Sequence, residues 1–107
     1  MDLNTYQKLS QRTAMYQDTN KALIVAALGL GGESGEVLDH IKKYYGHGHE
    51  LDIDYLKKEL GDILWYVAYM AEVLGLDLED VAKCNIDKLT KRYPEGFSNE
   101  ASKNRSV

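Results

Sequence analysis

The chain has 107 residues, of which 44% are hydrophobic, so its length and composition predict a single domain with one modest core, which oligomerisation commonly supplements at this size. Its formal net charge of −4 argues against binding to a nucleic acid polymer, since such proteins normally carry a basic face. It shows no apolar run of membrane-spanning length, no hydrophobic signal core and a lone cysteine, so we expect no membrane insertion and a cytoplasmic location.

Four helical segments are predicted, because β-branched alternation is nearly absent and Pro94 is the only proline. They cover roughly residues 4–17, Asn20 to Tyr45, Asp52 or Asp54 to Gly75, and Asp77 to Pro94. The sequence GHGHE between the second and third helices is typical of a polar turn. We therefore predict an all-α, four-helix bundle-like domain over residues 1–97 and a flexible tail over residues 98–107.

The third predicted helix is apolar on nearly all sides. One face carries Leu56, Leu60, Ile63, Val67, Met70 and Leu74, and the opposite side carries Trp65 with Tyr66 and Tyr69 beside it. A helix of this kind is buried on more than one side, and in so short a chain a second subunit supplies the second burial most simply. We therefore predict a homo-oligomer, with a singly exposed tryptophan as the simpler alternative.

Two pairs of acids with three-residue spacing border the apolar faces of consecutive predicted helices. They are Glu33 and Glu36 on the second helix, and Glu59 and Asp62 on the third. If these helices pair antiparallel through the GHGHE turn, four carboxylates face one another and repel. Either pair alone is typical of a solvated helix face, but together they predict a site for Mg²⁺, with Mn²⁺ as a substitute, because hard cations prefer oxygen ligands.

Other metal and phosphate sites fit the sequence less well. The Glu-x-x-His spacing of di-iron bundles and the oxygen-rich loop of an EF-hand are both missing. The segment GLGGESG lacks the last glycine of the dinucleotide fingerprint, and no Gly-Lys-Ser/Thr follows it. Its glycines permit close approach of a ligand or of a neighbouring backbone, and the residues leave these two interpretations open.

Polar side chains lie beside apolar ones on the fourth predicted helix. Asn85, Lys88 and Arg92 share a stripe there, and Lys43 lies on the acidic stripe of the second helix. Their donors suit phosphate oxygens, a base or a sugar. The alternative is that the cations extend into solvent or pair with an acid. The roles of four further residues stay open, namely Asp39, His40, His47 and His49.

The paired acidic motif resembles the signature of the MazG-like family of all-α nucleoside triphosphate pyrophosphohydrolases, which is E-x-x-E, a variable spacer and E-x-x-D. Here it reads ESGE at residues 33–36, twenty-two intervening residues and ELGD at residues 59–62. The phrases GESGEVLDHIKK, ELGDILWYVA and NIDKLTKRYPEGFS are similar to a small bacterial and phage branch of that family. The likeness extends over roughly residues 5–98.

The resemblance implies Mg²⁺-dependent hydrolysis of a nucleoside triphosphate to the monophosphate and pyrophosphate. It implies that the metal ligands and catalytic residues are Glu33, Glu36, Glu59 and Asp62, one of which also orients or deprotonates water. It implies substrate contacts for Tyr66, Asn85, Lys88 and Arg92, to which we add Lys43 from its stripe. Relatives form dimers or larger oligomers with sites completed across an interface, so a homodimer or homotetramer is expected. The rival interpretations are a non-catalytic helical module that binds a nucleotide or a partner protein, and a purely structural oligomer.

Overall fold

A computed structural model describes residues 1–15 and 18–104. The regular elements of these residues are all helical, which confirms the predicted all-α class. They are α1 (Leu3–Ser10), a 3-10 turn (Gln11–Thr13), α2 (Thr19–Gly46), α3 (Ile53–Val73), α4 (Leu78–Arg92) and α5 (Asn99–Lys103). Within the described part of the chain, no helix is both long and apolar enough to cross a membrane.

Aspartates begin the four longer helices. Each N-cap carboxylate accepts a hydrogen bond from the backbone N–H three residues ahead, in the pairs Asp2–Thr5, Asp18–Lys21, Asp52–Tyr55 and Asp77–Asp80. Such a cap satisfies one of the free N–H groups at a helix start and contributes about 1 kcal/mol. The second helix is thus capped by Asp18, two residues before Asn20, where the sequence placed its start.

The first helix is shorter than predicted, because α1 ends at Ser10 and a 3-10 turn follows to Thr13. The rest of the predicted segment reaches residues 16 and 17, which lie outside the described residues. The predicted tail contains the five-residue helix α5. The domain boundary at residue 97 and the flexibility of the tail stay predictions.

The longest contact in the fold is between α2 and α3, which pack along each other. The partners run in opposite directions along the two helices, since the start of α2 packs on Tyr69 while His40 near its end bonds Asp52. The loop of residues 47–52 joins them, so the predicted antiparallel pairing is observed. Helix α1 lies against both α3 and α4. The two acidic pairs are therefore carried by the helices of the α2–α3 contact, and α1 covers one end of this contact.

The buried side of α3 agrees only in part with the side that we predicted from the sequence, of which Val67 and Met70 pack against the buried clusters. Tyr69 is only 2% exposed and packs on α2, whereas Leu60 and Leu74 of the predicted core face are 60% and 52% exposed. Ala68 and Ala71 are also buried, on the side that faces α1 and α4. The Trp65 side of α3 is therefore covered within one chain, and two leucines of the predicted core face remain largely exposed.

Candidate functional site

Three of the four predicted acids meet where α2 and α3 pack together. Glu33, Glu59 and Asp62 each offer one carboxylate oxygen, and these oxygens all lie within 4.8 Å of one another. Glu59 and Asp62 are three residues apart on α3 and therefore lie on the same face of that helix, and Glu33 faces them from α2. Glu33 and Glu59 are half-buried and Asp62 is exposed, so the cluster is open to solvent on one side.

The pKa of the Glu59 carboxyl is shifted by its surroundings. Desolvation raises the pKa of its carboxyl above the ordinary value, and the hydrogen bond and negative charge of Glu33 and the charges of Asp62 and Glu36 raise it further. One of its oxygens, Oε2, is buried and has no hydrogen-bond partner among the described residues. A half-buried carboxylate with an unsatisfied oxygen and acidic neighbours is the chemistry that a divalent cation satisfies.

Glu36 is the one predicted acid that lies outside this three-carboxylate cluster. Its Oε2 accepts a hydrogen bond of 3.3 Å from the Tyr55 hydroxyl, which lies one helical turn before Glu59. Sequence reasoning missed Tyr55. Its four-residue spacing from Glu59 was the available signal, because that spacing places both side chains on one face of α3.

A cavity of about 320 Å³ opens beside the cluster and is lined by Glu33, Asp62, Trp65 and Tyr66. The indole N–H of Trp65 donates to the Ser10 carbonyl at 3.0 Å and to the Thr13 hydroxyl at 2.9 Å, which fixes the ring. Trp65 and Tyr66 meet edge to face at 5.0 Å between ring centres. The cavity therefore has an aromatic wall next to an acidic one, and the sequence interpretation of Trp65 as part of a subunit interface missed this position.

Gly29 makes room for the aromatic wall. A Cβ built at this position would overlap the Tyr66 ring, so glycine permits the close approach of that ring to α2. The other glycines of the segment, Gly31, Gly32 and Gly35, have no described atom near the position of an added Cβ. Close packing within the chain thus explains one glycine of the four.

The predicted basic and amide residues do not line this cavity in the described part of a single chain. The Lys43 ammonium instead pairs with Asp39 Oδ2 at 2.9 Å, and Lys42 lies 3.3 Å from Asp39 Oδ1. Hydrogen bonds from these two lysines lower the pKa of the Asp39 carboxyl, with Lys43 as the larger cause. Asn85 is exposed on α4, where Lys88 and Arg92 are half-buried. Helix α4 packs mainly on α1 and α3.

The histidines fall into two groups. His40 Nε2 accepts the backbone N–H of Asp52 at 3.0 Å, so His40 ties the end of α2 to the start of α3. His47 and His49 lie in the exposed turn with their ring centres 6.4 Å apart.

The fold and the site define an all-α protein with a carboxylate cluster suited to a divalent cation. Residues 22–97 match the family model described as the MazG nucleotide pyrophosphohydrolase domain, and the chain therefore belongs to this family, which confirms the resemblance seen in the sequence.

Three curated relatives share this similarity. The Gene 37 protein of Mycobacterium phage L5 is 33% identical over an alignment of 114 residues that covers 98% of this chain and all of that protein. The nucleoside triphosphate pyrophosphohydrolase of Escherichia coli K12 is 33% identical over 78 residues, which are 69% of this chain but 27% of that protein. The uncharacterized protein YvdC of Bacillus subtilis is 45% identical over 38 residues, 36% of each chain. No solved structure matches the chain.

Proposed function

We propose that the protein is a nucleoside triphosphate pyrophosphohydrolase that uses Mg²⁺, with Mn²⁺ as a substitute, to convert an NTP or dNTP into the monophosphate and pyrophosphate. The observation that carries the proposal is the cluster of Glu33, Glu59 and Asp62, whose oxygens lie within 4.8 Å of one another in a chain of the MazG family. The name of the Escherichia coli relative agrees with this activity.

The donor set of the cluster fits a hard divalent cation. All three side chains offer carboxylate oxygens, and Mg²⁺ is held in proteins by one or two carboxylates together with water and phosphate oxygens. The open side at Asp62 leaves space for those further ligands. When bound, the cation would polarise the phosphate chain and offset the charge that develops on its oxygens.

The residues around the cluster supply binding and proton transfer. The adjacent cavity, with Trp65 and Tyr66 on one wall, suits the planar base or the sugar of a nucleotide whose phosphates lie at the acids. Asp62 and Glu36 are both exposed, so one of these carboxylates can orient the attacking water or accept its proton. The oxygen of this water bonds to a phosphorus of the α–β bridge, the bridging P–O bond breaks, and the monophosphate and pyrophosphate are released.

A second copy of the chain is part of the proposal, as a homodimer or homotetramer. The outer face of α2, opposite Glu33, presents Ile24, Leu28, Leu38 and Tyr45 to solvent at helical spacing, with open space around Gly31 and Gly35 between them. Contiguous exposed apolar surface of this kind is typical of an interface. A partner subunit would also bring Asn85, Lys88 and Arg92 of its α4 towards the cluster, beside which the described residues of one chain place only acidic and aromatic side chains in the cavity wall.

The test is a panel of NTPs and dNTPs incubated with the purified protein in Mg²⁺, in Mn²⁺ and in EDTA, with products separated by anion exchange. We expect monophosphate and pyrophosphate in equal amounts with either metal and neither product in EDTA. Asp62→Asn should abolish turnover and keep the helical circular dichroism. Nucleotide that raises the melting temperature of the wild type but yields no pyrophosphate would instead identify a binding module. Wild-type rates in Asp62→Asn would remove that residue from the mechanism.

A further inference from the structure

Glu36 is fixed in place although it lies outside the three-carboxylate cluster. Its side chain is exposed, yet its Oε2 accepts the Tyr55 hydroxyl at 3.3 Å. An exposed glutamate normally samples many rotamers, and ordering it for a ligand costs conformational entropy at the moment of binding. A hydrogen bond already present in the free protein removes part of that cost.

Tyr55 is itself held by a closed chain of contacts between α2 and α3. Its backbone N–H donates to Asp52 Oδ1 at 3.0 Å, and the Asp52 N–H donates to His40 Nε2 at 3.0 Å. The His40 ring then packs on the Tyr55 ring, with 5.1 Å between the ring centres. Because His40 and Glu36 both lie on α2, the position of the hydroxyl relative to Glu36 is set by the helix pair.

The Tyr55 hydroxyl also lies within electrostatic reach of the cluster. Tyr55 lies four residues before Glu59 on α3, so its side chain shares the helix face that carries Glu59. A hydroxyl that donates to a carboxylate offsets part of the repulsion from neighbouring acids. The hydrogen bond from Tyr55 therefore holds Glu36 near the face of α3 that carries Glu59.

We propose that Tyr55 is a positioning residue for the metal site, because its hydroxyl holds the Glu36 carboxylate next to Glu59 so that Glu36 can join the three clustered acids around a divalent cation. This inference rests on the proposed function, since it assigns Glu36 to the same site. Tyr55 acts through Glu36 and needs no contact with the cation or the nucleotide.

The test measures binding of Mn²⁺ alone by isothermal titration calorimetry. Tyr55→Phe keeps the ring on His40 and removes only the hydroxyl, and it should weaken Mn²⁺ roughly five- to tenfold, the range that one lost hydrogen bond corresponds to. The matched control is Tyr93→Phe, since Tyr93 also packs on an aromatic ring, that of Phe97 at 5.2 Å, and is distant in the chain from the acids. The control should bind Mn²⁺ like the wild type.

The same titration in the Glu36→Gln background separates positioning from a general structural role. If Tyr55 acts through Glu36, adding Tyr55→Phe to Glu36→Gln should change Mn²⁺ affinity by less than about twofold. Unchanged affinity in Tyr55→Phe alone, or the same loss in both backgrounds, would overturn the inference while leaving the proposed function in place. A wild-type protein that binds no Mn²⁺ would overturn the proposed function itself. Circular dichroism of each variant shows whether the helices are retained.

Discussion

Glu59 shows in one side chain why the carboxylate cluster is costly without a cation. The folded chain desolvates it, leaves Oε2 without a partner among the described residues and surrounds it with the charges of Glu33, Asp62 and Glu36. Each of these effects favours the neutral carboxyl. Stability is therefore lowered at the point where the proposed metal ligands are assembled, which is the relation between function and stability expected of a binding site.

Glu59→Gln should consequently raise the melting temperature of the metal-free protein at neutral pH. The pKa of Glu59 is raised above its unfolded value of 4.5, so the folded state retains the proton more strongly, and this group costs stability as the pH rises above that value. The glutamine variant lacks this cost, and its advantage should disappear as the pH falls to 4.5 and below.

Melting curves in EDTA across that pH range check the prediction. Glu50→Gln is the control, because Glu50 is exposed in the turn before α3 and should give no pH-dependent gain. A Glu59→Gln protein that melts below the wild type at pH 7 would show that the hydrogen bond with Glu33 outweighs the repulsion.

At the scale of the elements, the buried side chain of Gln7 helps to attach α1 to α3 and α4. Gln7 is 5% exposed, accepts the backbone N–H of Leu78 at 2.7 Å and donates to the Leu76 carbonyl at 3.0 Å and to Glu72 at 3.3 Å. It therefore connects α1 to the end of α3 and to the first turn of α4. The same helix ends at Ser10, and Thr13 lies in the turn after it. Oxygens of both residues accept the Trp65 indole N–H, so the docking of α1 also orients the cavity wall.

Gln7→Ala should lower the free energy of unfolding by about 2 kcal/mol, because it leaves the buried N–H of Leu78 and the Leu76 carbonyl without their partner. Urea denaturation at fixed protein concentration measures the change. Lys8→Ala is the matched control on the same helix, since Lys8 is exposed, and it should stay within about 0.5 kcal/mol of the wild type. Equal effects of the two substitutions would contradict the assigned role of Gln7.

Residue type and helical spacing predicted the helices better than they predicted how the helices pack on one another. Caps at Asp52 and Asp77 and the facing acidic pairs follow from residue type and helical spacing, which operate over one or two turns. The buried side of α3 could not be predicted in this way. Helical periodicity identifies two apolar faces but not the neighbour that covers each, and the burial of Tyr69 depends on α2 through Ala22 and Ala26. The hydrogen bond from Tyr55 to Glu36 could not be predicted either, because it depends on how α3 packs on α2.

At the scale of the whole molecule, a single chain buries few large apolar side chains. Among the described residues, the buried hydrophobic ones are Ala22, Ala26, Ala68, Tyr69, Ala71 and Leu78. Leucines on two other surfaces remain exposed, at 70% for Leu28 on α2 and 60% for Leu60 on α3. A chain of this size with so small a core gains most of its further stability by covering such surfaces with another copy.

Leu28→Glu should therefore dissociate the proposed oligomer and lower its melting temperature, because a charge in the covered centre of an interface lacks a partner. Light scattering after size exclusion gives the mass at several protein concentrations. Leu9→Glu introduces the same charge at a leucine that is 46% exposed on α1, outside the outer face of α2, and should leave the mass unchanged. A wild-type mass equal to 12.1 kDa at all concentrations would contradict the proposed oligomer.

Oligomers that mix two variants test whether each proposed site is built from residues of two subunits. Glu59→Gln inactivates the carboxylate cluster, and Lys88→Ala removes a cation from α4, which does not line the cavity within the described part of one chain. If a site combines the cluster of one subunit with α4 of the other, a mixed dimer regenerates one intact site, and random exchange should restore roughly a quarter of wild-type pyrophosphate release.

Subunits are exchanged by joint refolding from urea before the assay. The control mixes Glu59→Gln with Asp62→Asn, two residues whose carboxylates lie in one cluster on one helix. No pairing of these chains yields an intact cluster, so this mixture should remain inactive. Recovery in both mixtures would indicate that each single variant retains activity. Recovery in neither would indicate that the whole site lies within one chain and that α4 supports the fold rather than nucleotide binding.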